Sequence, residues 1–257
     1  RMITNYFSET TKTMKSSLIR ELVATTKNVP DLISFAGGFP SPATFPLETL
    51  SKLYQEIVSQ QGRDVLQYGN SEGDEQLKEE ILKWENYPKL NNDNMMITVG
   101  ATNAIYYMSR TLLNEGDVVL CEAPSFLGSI VAFEAVGAEV HSISMDNEGI
   151  DLNRLAEKVK RLRDANKVIK FIYTIPDFQN PTGITMSYKR RRELLQFCEA
   201  EGILIMEDNP YSRLRFRGEE QPTLLRIAQT ELNNPYLVTE IVSFSKILGP
   251  GMRVAYA

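Results

Sequence analysis

A chain of 257 residues, 42% of them hydrophobic, can build one large domain with a substantial core, or one domain and part of a second. Its formal net charge of −5 gives no basic surface for nucleic acid or for an anionic membrane, and no apolar run approaches the ~18 residues of a membrane span. Cys121 and Cys198 lie far apart, with neither a CxxC nor a partnered histidine, so they read as reduced, buried thiols of a cytoplasmic protein without a metal. The opening Arg1-Met2-Ile3-Thr4-Asn5-Tyr6 lacks the long apolar run of a signal peptide.

Along the chain, residues 14–27 have a helical pattern with apolar Leu18, Leu22 and Val23. A linker rich in Gly, Pro and Ser follows at 37–46, then a helix over about 47–60. Another helix covers about 72–86, with Glu72, Asp74 and Glu75 in its first turn, where acids favour the helix dipole. From about residue 95 onward, β-rich apolar runs alternate with helical patterns. The spacing predicts strands at 95–99, 118–121, 139–143, 168–175, 203–207, 237–244 and 253–257, and helices at about 102–114, 126–136, 151–164 and 187–201. Asp151 and Ser187 are the expected N-caps, and Gly137 and Gly202 the expected stops. Seven near-continuous apolar runs suit a mostly parallel sheet buried on both faces. The lone His141 reads as structural, and Lys189-Arg190-Arg191-Arg192 as a solvated helix face.

The most informative stretch is Ser243-Phe244-Ser245-Lys246-Ile247-Leu248-Gly249-Pro250-Gly251-Met252-Arg253. A lysine that captures a carbonyl must be desolvated so that its neutral amine is accessible. Ser243, Ser245 and Arg253 around it form a phosphate grip, because a planar guanidinium suits a phosphate better than an ammonium does. A carbonyl-capturing lysine beside a phosphate site is what pyridoxal 5′-phosphate requires. Gly100-Ala101-Thr102, between a strand and a helix, offers backbone N–H groups and a positive helix end to the same phosphate. Asp208, at the end of the run Ile203-Leu204-Ile205-Met206-Glu207, can hold a pyridine nitrogen protonated. Tyr211, three residues on, and Asn180, in Gln179-Asn180-Pro181-Thr182-Gly183, can both donate to the ring's phenolic oxygen. Asn180, Asp208 and Lys246 each fall just past a strand, so three strand ends converge on one crevice.

At these residues the chain resembles the class I/II, fold-type I pyridoxal-phosphate-dependent aminotransferases, and most of all the 2-aminoadipate, kynurenine and aromatic subgroup. The likeness runs from Ser16-Ser17-Leu18-Ile19-Arg20-Glu21-Leu22, through Ile33-Ser34-Phe35-Ala36-Gly37-Gly38 and Leu66-Gln67-Tyr68, to the last residue. It implies an α/β large domain with a seven-stranded, mostly parallel sheet whose last strand is antiparallel. By the same resemblance, residues 1–45 are an N-terminal arm and linker and 46–257 the cofactor-binding domain. The family's small C-terminal domain, with its arginine for the substrate α-carboxylate, lies past residue 257, so the chain reads as a fragment.

The resemblance also assigns roles. Phe126 stacks on the pyridine ring, Tyr68 reaches the cofactor phosphate of the neighbouring subunit in a homodimer, and Arg20 and Gly38 face the substrate, Arg20 toward a distal carboxylate. Ala123-Pro124 and Asn180-Pro181 are expected to be cis. The implied activity transfers an amino group from an L-amino acid (2-aminoadipate-like, aromatic or similar) to a 2-oxo acid such as 2-oxoglutarate. Two rivals share the scaffold: a pyridoxal-phosphate-dependent lyase or decarboxylase, and the effector domain of a transcription regulator. Only about 30 residues precede Ile33, too few for the regulator's winged helix-turn-helix.

Overall fold

The structure, a computed structural model, describes residues 3–13, 25, 29–33 and 37–257. Arg20 and all of the expected 14–27 helix except Thr25 lie outside the described residues. The chain divides into two compact units, Arg1–Phe45 and Pro46–Ala257. In the first, the described elements are a 3-10 turn Ile3–Tyr6, helix α1 Glu9–Thr13 and a 3-10 turn Pro42–Thr44.

The second unit opens with α2, Leu47–Val65, which carries a non-helical residue at Gln61, next to the boundary expected at 60. Helix α3, Glu75–Glu85, starts later than the acid pattern suggests. Asp74 is its N-cap, accepting from Leu77 N, so Glu72 precedes the helix. One sheet then organises the unit. Its strands are β1 Ile97–Thr98, β2 Val118–Ala123, β3 Glu139–Asp146, β4 Gly149–Ile150, β5 Ile169–Thr174, β6 Leu204–Asn209, β7 Val238–Ser243 and β8 Ala255–Tyr256, in the order β1-β8-β7-β6-β5-β2-β3-β4.

That is eight strands where the sequence predicts seven. The addition, β4, is a two-residue return antiparallel to the end of β3, pairing Met145 with Ile150 and Asp146 with Gly149. Gly149 has φ +118°, a conformation side chains resist, so the hairpin depends on glycine there. The central pairings β3–β2–β5–β6–β7 are all parallel, and β8 runs antiparallel to both β7 and β1.

Alternation along the strands splits the core in two. Val118 and Leu120 of β2, Ile172 of β5, Ile205 of β6 and Val238 of β7 pack on one face. That face is covered by α6 Leu152–Asp164, α7 Tyr188–Glu201 and α8 Leu224–Ile227. Val119, Cys121, Phe171, Tyr173, Met206 and Ile241 pack on the other, under α4 Ala101–Leu112 and α5 Leu127–Glu134. Asp151 and Ser187 cap α6 and α7 as expected, and Gly202 ends α7 in the left-handed conformation. Among the described residues no helix is long and apolar enough to cross a membrane.

The basic run on α7 corrects its expected role. Lys189 and Arg192 do face solvent, but Arg191 is fully buried. Its guanidinium donates to Met186 O at 3.0 Å, Pro222 O at 3.1 Å and Pro176 O at 3.2 Å, and pairs with Asp177 at 3.0 Å. Arg215 reaches the other Asp177 oxygen at 2.8 Å. The reason is geometric: α7 packs on the segment that leaves β5, whose inward-turned carbonyls and Asp177 need donors that water cannot supply. Arg191→Ala strands these groups, and removing one partner of a buried pair costs about 3–5 kcal/mol. Equilibrium unfolding in denaturant should therefore show a loss of that order, with Arg192→Ala close to wild type.

Candidate active site

Strand order reverses between β2 and β5, and the crevice outside the carboxyl ends of the parallel strands is where ligands settle in such sheets. The candidate residues lie there: Phe126 after β2, Asn180 after β5, Asp208 and Tyr211 at and beyond the end of β6, and Lys246 after β7. Ala123-Pro124 and Asn180-Pro181 are both cis, as the resemblance implies.

Asp208 is buried and fixed from one side. Its Oδ2 accepts from Tyr173 OH at 2.5 Å, while Oδ1 is buried and without a hydrogen-bond partner. Burial pushes the carboxyl up to about 6, with the Tyr173 hydroxyl opposing that rise. A buried acceptor left over at a strand end is a docking point for a donor from a ligand. Asn180 Nδ2 donates to Tyr211 OH at 3.2 Å, which brings those two together. The charge of Asp208 acts on Tyr211, whose phenol is raised chiefly by burial.

Lys246 sits half-buried in the turn after β7, and burial lowers the pKa of its amine. Ser243 Oγ donates to Ser245 Oγ at 2.9 Å and accepts from Ser245 N at 3.1 Å, so the two hydroxyls form one cluster ahead of the lysine. Arg253, in the left-handed conformation with φ +53°, lays its guanidinium over Gly100: a Cβ on Gly100 would lie 2.1 Å from Arg253 Nη2. Gly100 is the N-cap of α4, with φ +85°. The amides of Ala101 and Thr102 belong to the first turn, whose N–H groups have no acceptor within the helix. Guanidinium and helix N-terminus thus share one spot, the combination that holds a phosphate.

Phe126 is the N-cap of α5, and its ring lies so close to Gly128 that a Cβ there would meet it at 2.5 Å. The Tyr68 side chain is 99% exposed. Gly38, with φ +56°, is exposed in the first unit. Sequence reasoning passed over Tyr173, Glu122 and Gln179. Glu122 is fully buried on β2 and pushed up to about 7 by burial, against hydrogen bonds from Thr174, Ile175 and Gln179. A tyrosine and a glutamate inside runs of apolar β residues were the available signal.

The sequence matches the family Aminotransferase class I and II over residues 31–257. The chain belongs to this family. It is 38% identical to aromatic-amino-acid aminotransferase 1 of Thermococcus litoralis over 254 residues, covering 98% of this chain and 60% of that protein. It is 36% identical to 2-aminoadipate transaminase of Thermus thermophilus, over 95% of this chain and 59% of that protein. Among solved structures it is similar to Pyrococcus horikoshii kynurenine aminotransferase, in complex with PMP and with kynurenine as substrate. The TM-score is 0.89 at 35% identity, covering 99% of this chain and 62% of that one. The chain therefore spans about three fifths of the length of these class I/II aminotransferases. The donors and acceptors found here fit the family's cofactor: an unpartnered carboxylate oxygen for a ring N–H, a paired amide and phenol, a desolvated amine and an anion cradle.

The buried acids make a pH signature. Asp208 at about 6 lies above its ordinary 3.8, and Glu122 and Glu207 at about 7 lie above 4.5, each chiefly through burial. Folding therefore favours their neutral forms. Their contribution is complete below about pH 4 and is lost as pH rises through about 6 to 7. The thermal midpoint of the cofactor-free protein should fall across that window, and Asp208→Asn should shrink the fall, as read by calorimetry.

Proposed function

We propose that the whole protein is a pyridoxal-phosphate-dependent aminotransferase that moves the amino group of an L-amino acid to a 2-oxo acid. The observation that carries this is the unpartnered Oδ1 of buried Asp208, near the end of β6 and three residues before Tyr211, to which Asn180 donates. In this reading Asp208 holds the ring nitrogen, Asn180 and Tyr211 hold the phenolic oxygen, and Phe126 covers the ring face. Ser243, Ser245, Arg253 and the turn Gly100-Ala101-Thr102 hold the phosphate. When bound, the cofactor supplies an aldehyde that captures amines and a cationic ring that accepts an electron pair from the substrate's α-carbon.

The chain's own residues supply the rest. Burial keeps more of the Lys246 amine neutral, so it can accept a proton from the substrate's α-carbon and deliver it to the carbon that receives the amino group. The hydrogen bond from Tyr173 opposes protonation of Asp208, so a proton shared with a ring nitrogen would stay on the nitrogen. Over the whole cycle, one water would supply the oxygen of the 2-oxo acid released from the donor, and one would be returned when a second 2-oxo acid takes up the amino group. The relatives' names favour transamination over a lyase, a decarboxylase or a regulator's effector domain, and favour an aromatic, kynurenine-like or 2-aminoadipate-like donor. 2-Oxoglutarate is the acceptor proposed from the family resemblance. Arg20 would meet a distal carboxylate on such a donor, and Gly38 would allow close backbone approach. The buried thiols of Cys121 and Cys198 suit a reducing, cytoplasmic setting.

Lys246→Ala tests the assignment. Turnover with a panel of amino acids should fall by at least the roughly 10²–10⁴-fold that a positioned acid–base group contributes, while the phosphate grip keeps some cofactor bound. Near-normal turnover would sink the site.

The same reading makes the enzyme a two-fold homodimer with shared sites. Its support is the exposure of Tyr68 beyond a helix whose Leu53, Tyr54, Ile57 and Val58 are each at least 41% exposed. Mixing Tyr68→Phe with Lys246→Ala subunits would leave each heterodimer one site with both defects and one with neither. Activity should reappear on mixing. Recovery no greater than the Tyr68→Phe background would refute the shared site.

A further inference from the structure

Two loops carry groups to the cofactor crevice: the one after β2, with Pro124 and Phe126, and the one after β5, with Gln179 and Asn180. Gln179 joins them. It is 1% exposed, and its side-chain amide donates to Pro124 O at 2.8 Å and to Glu122 Oε2 at 3.2 Å. Its carbonyl Oε1 accepts from Thr182 N at 3.0 Å and Thr182 Oγ1 at 2.7 Å. The backbone is held as well, Gln179 N donating to Ile184 O at 2.8 Å. Glu122 is fastened in turn: Thr174 Oγ1 donates to its Oε1 at 2.5 Å and Ile175 N to its Oε2 at 3.2 Å.

We propose that Gln179, anchored by Glu122, is a positioning residue that sets the Phe126 loop and the Asn180 loop against each other. The inference rests on the proposed aminotransferase site. The geometry carries it. Pro124 stands two residues from Phe126, and Gln179 directly precedes Asn180, so one amide spans both loops with little slack. Both of its N–H groups and its oxygen are engaged, which fixes the rotamer. A buried amide satisfied at every atom specifies one arrangement, whereas an apolar side chain of equal volume would specify none. The raised carboxyl of Glu122 accords with this, since burial opposes its charge while three donors hold its oxygens.

The test uses full-length holoenzyme and two readouts besides turnover. One is the pH midpoint of the absorbance change of the Lys246-bound cofactor, and the other is the dissociation constant for pyridoxal phosphate. Asn180 donating to the phenolic oxygen keeps that midpoint low, so Asn180→Ala should raise it. Gln179→Met keeps the volume and removes the amide. It should raise the midpoint by about one pH unit, the scale of one hydrogen bond to a charged group, and weaken cofactor binding roughly tenfold through Phe126. Glu122→Gln should act in the same direction, and the double variant should exceed neither single by much, because the two act as one unit.

If Asn180→Ala moves the midpoint while Gln179→Met and Glu122→Gln only lower the thermal midpoint, the clamp is refuted and the site reading stands. A midpoint unmoved by Asn180→Ala removes the site reading and the clamp with it. Should Gln179→Met fail to fold, Glu122→Gln decides by the same criteria.

Discussion

Burying carboxylates at the end of a sheet is the constraint around which this protein is built. Glu122, Asp177, Glu207 and Asp208 are nearly or fully buried toward the carboxyl ends of β2, β5 and β6, and Glu240 is buried within β7 beside Glu207. An ionised carboxylate without partners costs several kcal/mol there, so each must be hydrogen-bonded, paired or neutral. Asp177 is paired with Arg191 and Arg215. Glu207 accepts from Leu224 N at 2.9 Å and Leu225 N at 3.0 Å, seating α8 on the sheet. Glu240 accepts from Asn209 Nδ2 at 2.8 Å and from Tyr87 OH, and burial raises its pKa well above normal. Asp208 alone among the five keeps a buried oxygen with no partner. The structure satisfies four acids internally and leaves one oxygen of the fifth without a partner.

This division explains how far the sequence could be read. Strands are legible because their apolar runs report burial on both faces, and caps such as Asp151 and Ser187 are legible because capping is local. Of the residues read for the site, Lys246, Asn180, Tyr211 and Arg253 follow strands or sit in turns, where chemistry-bearing side chains stand out, whereas Asp208, expected just past a strand, lies inside the end of β6 because the ladder with β7 continues to Asn209. Tyr173, Glu122 and Gln179 were passed over because their partners are distant in sequence: Tyr173 bonds a residue 35 positions on, and Glu122 bonds Gln179, 57 positions on. Arg191 failed for the same reason. Lys189 and Arg192 of the same run are exposed, and only the packing of α7 on the 176–186 segment shows that Arg191 faces inward. The eighth strand was missed because two residues closing a hairpin leave no periodicity to detect.

The sheet also explains why the candidate groups converge although they lie far apart in the chain. Parallel strands bring every carboxyl end to one edge, so each crossover returns the chain to the same crevice with a new side chain. Precision then comes from the polar contacts beneath that edge. Tyr173 orients Asp208, and the Ser243 hydroxyl ties down Ser245 ahead of the lysine. Rigid strands supply position, and buried hydrogen bonds supply orientation.

The contact between Gly100 and Arg253 joins residues from opposite ends of the sheet unit, and it orders events in time. Arg253 reaches the α4 N-terminus only because β8 returns antiparallel beside β7 and pairs with β1. During synthesis, β2, β3, β5, β6 and β7 can pair and bury their faces before that return has emerged. The contact between Arg253 and the α4 N-terminus therefore forms after the core that supports it. A phosphate held at this contact, as proposed, would bind the finished sheet in preference to a partly assembled one, and by mass action it would stabilise the closing of β8. On the proposed reading of this spot, cofactor capture would report that β8 has closed.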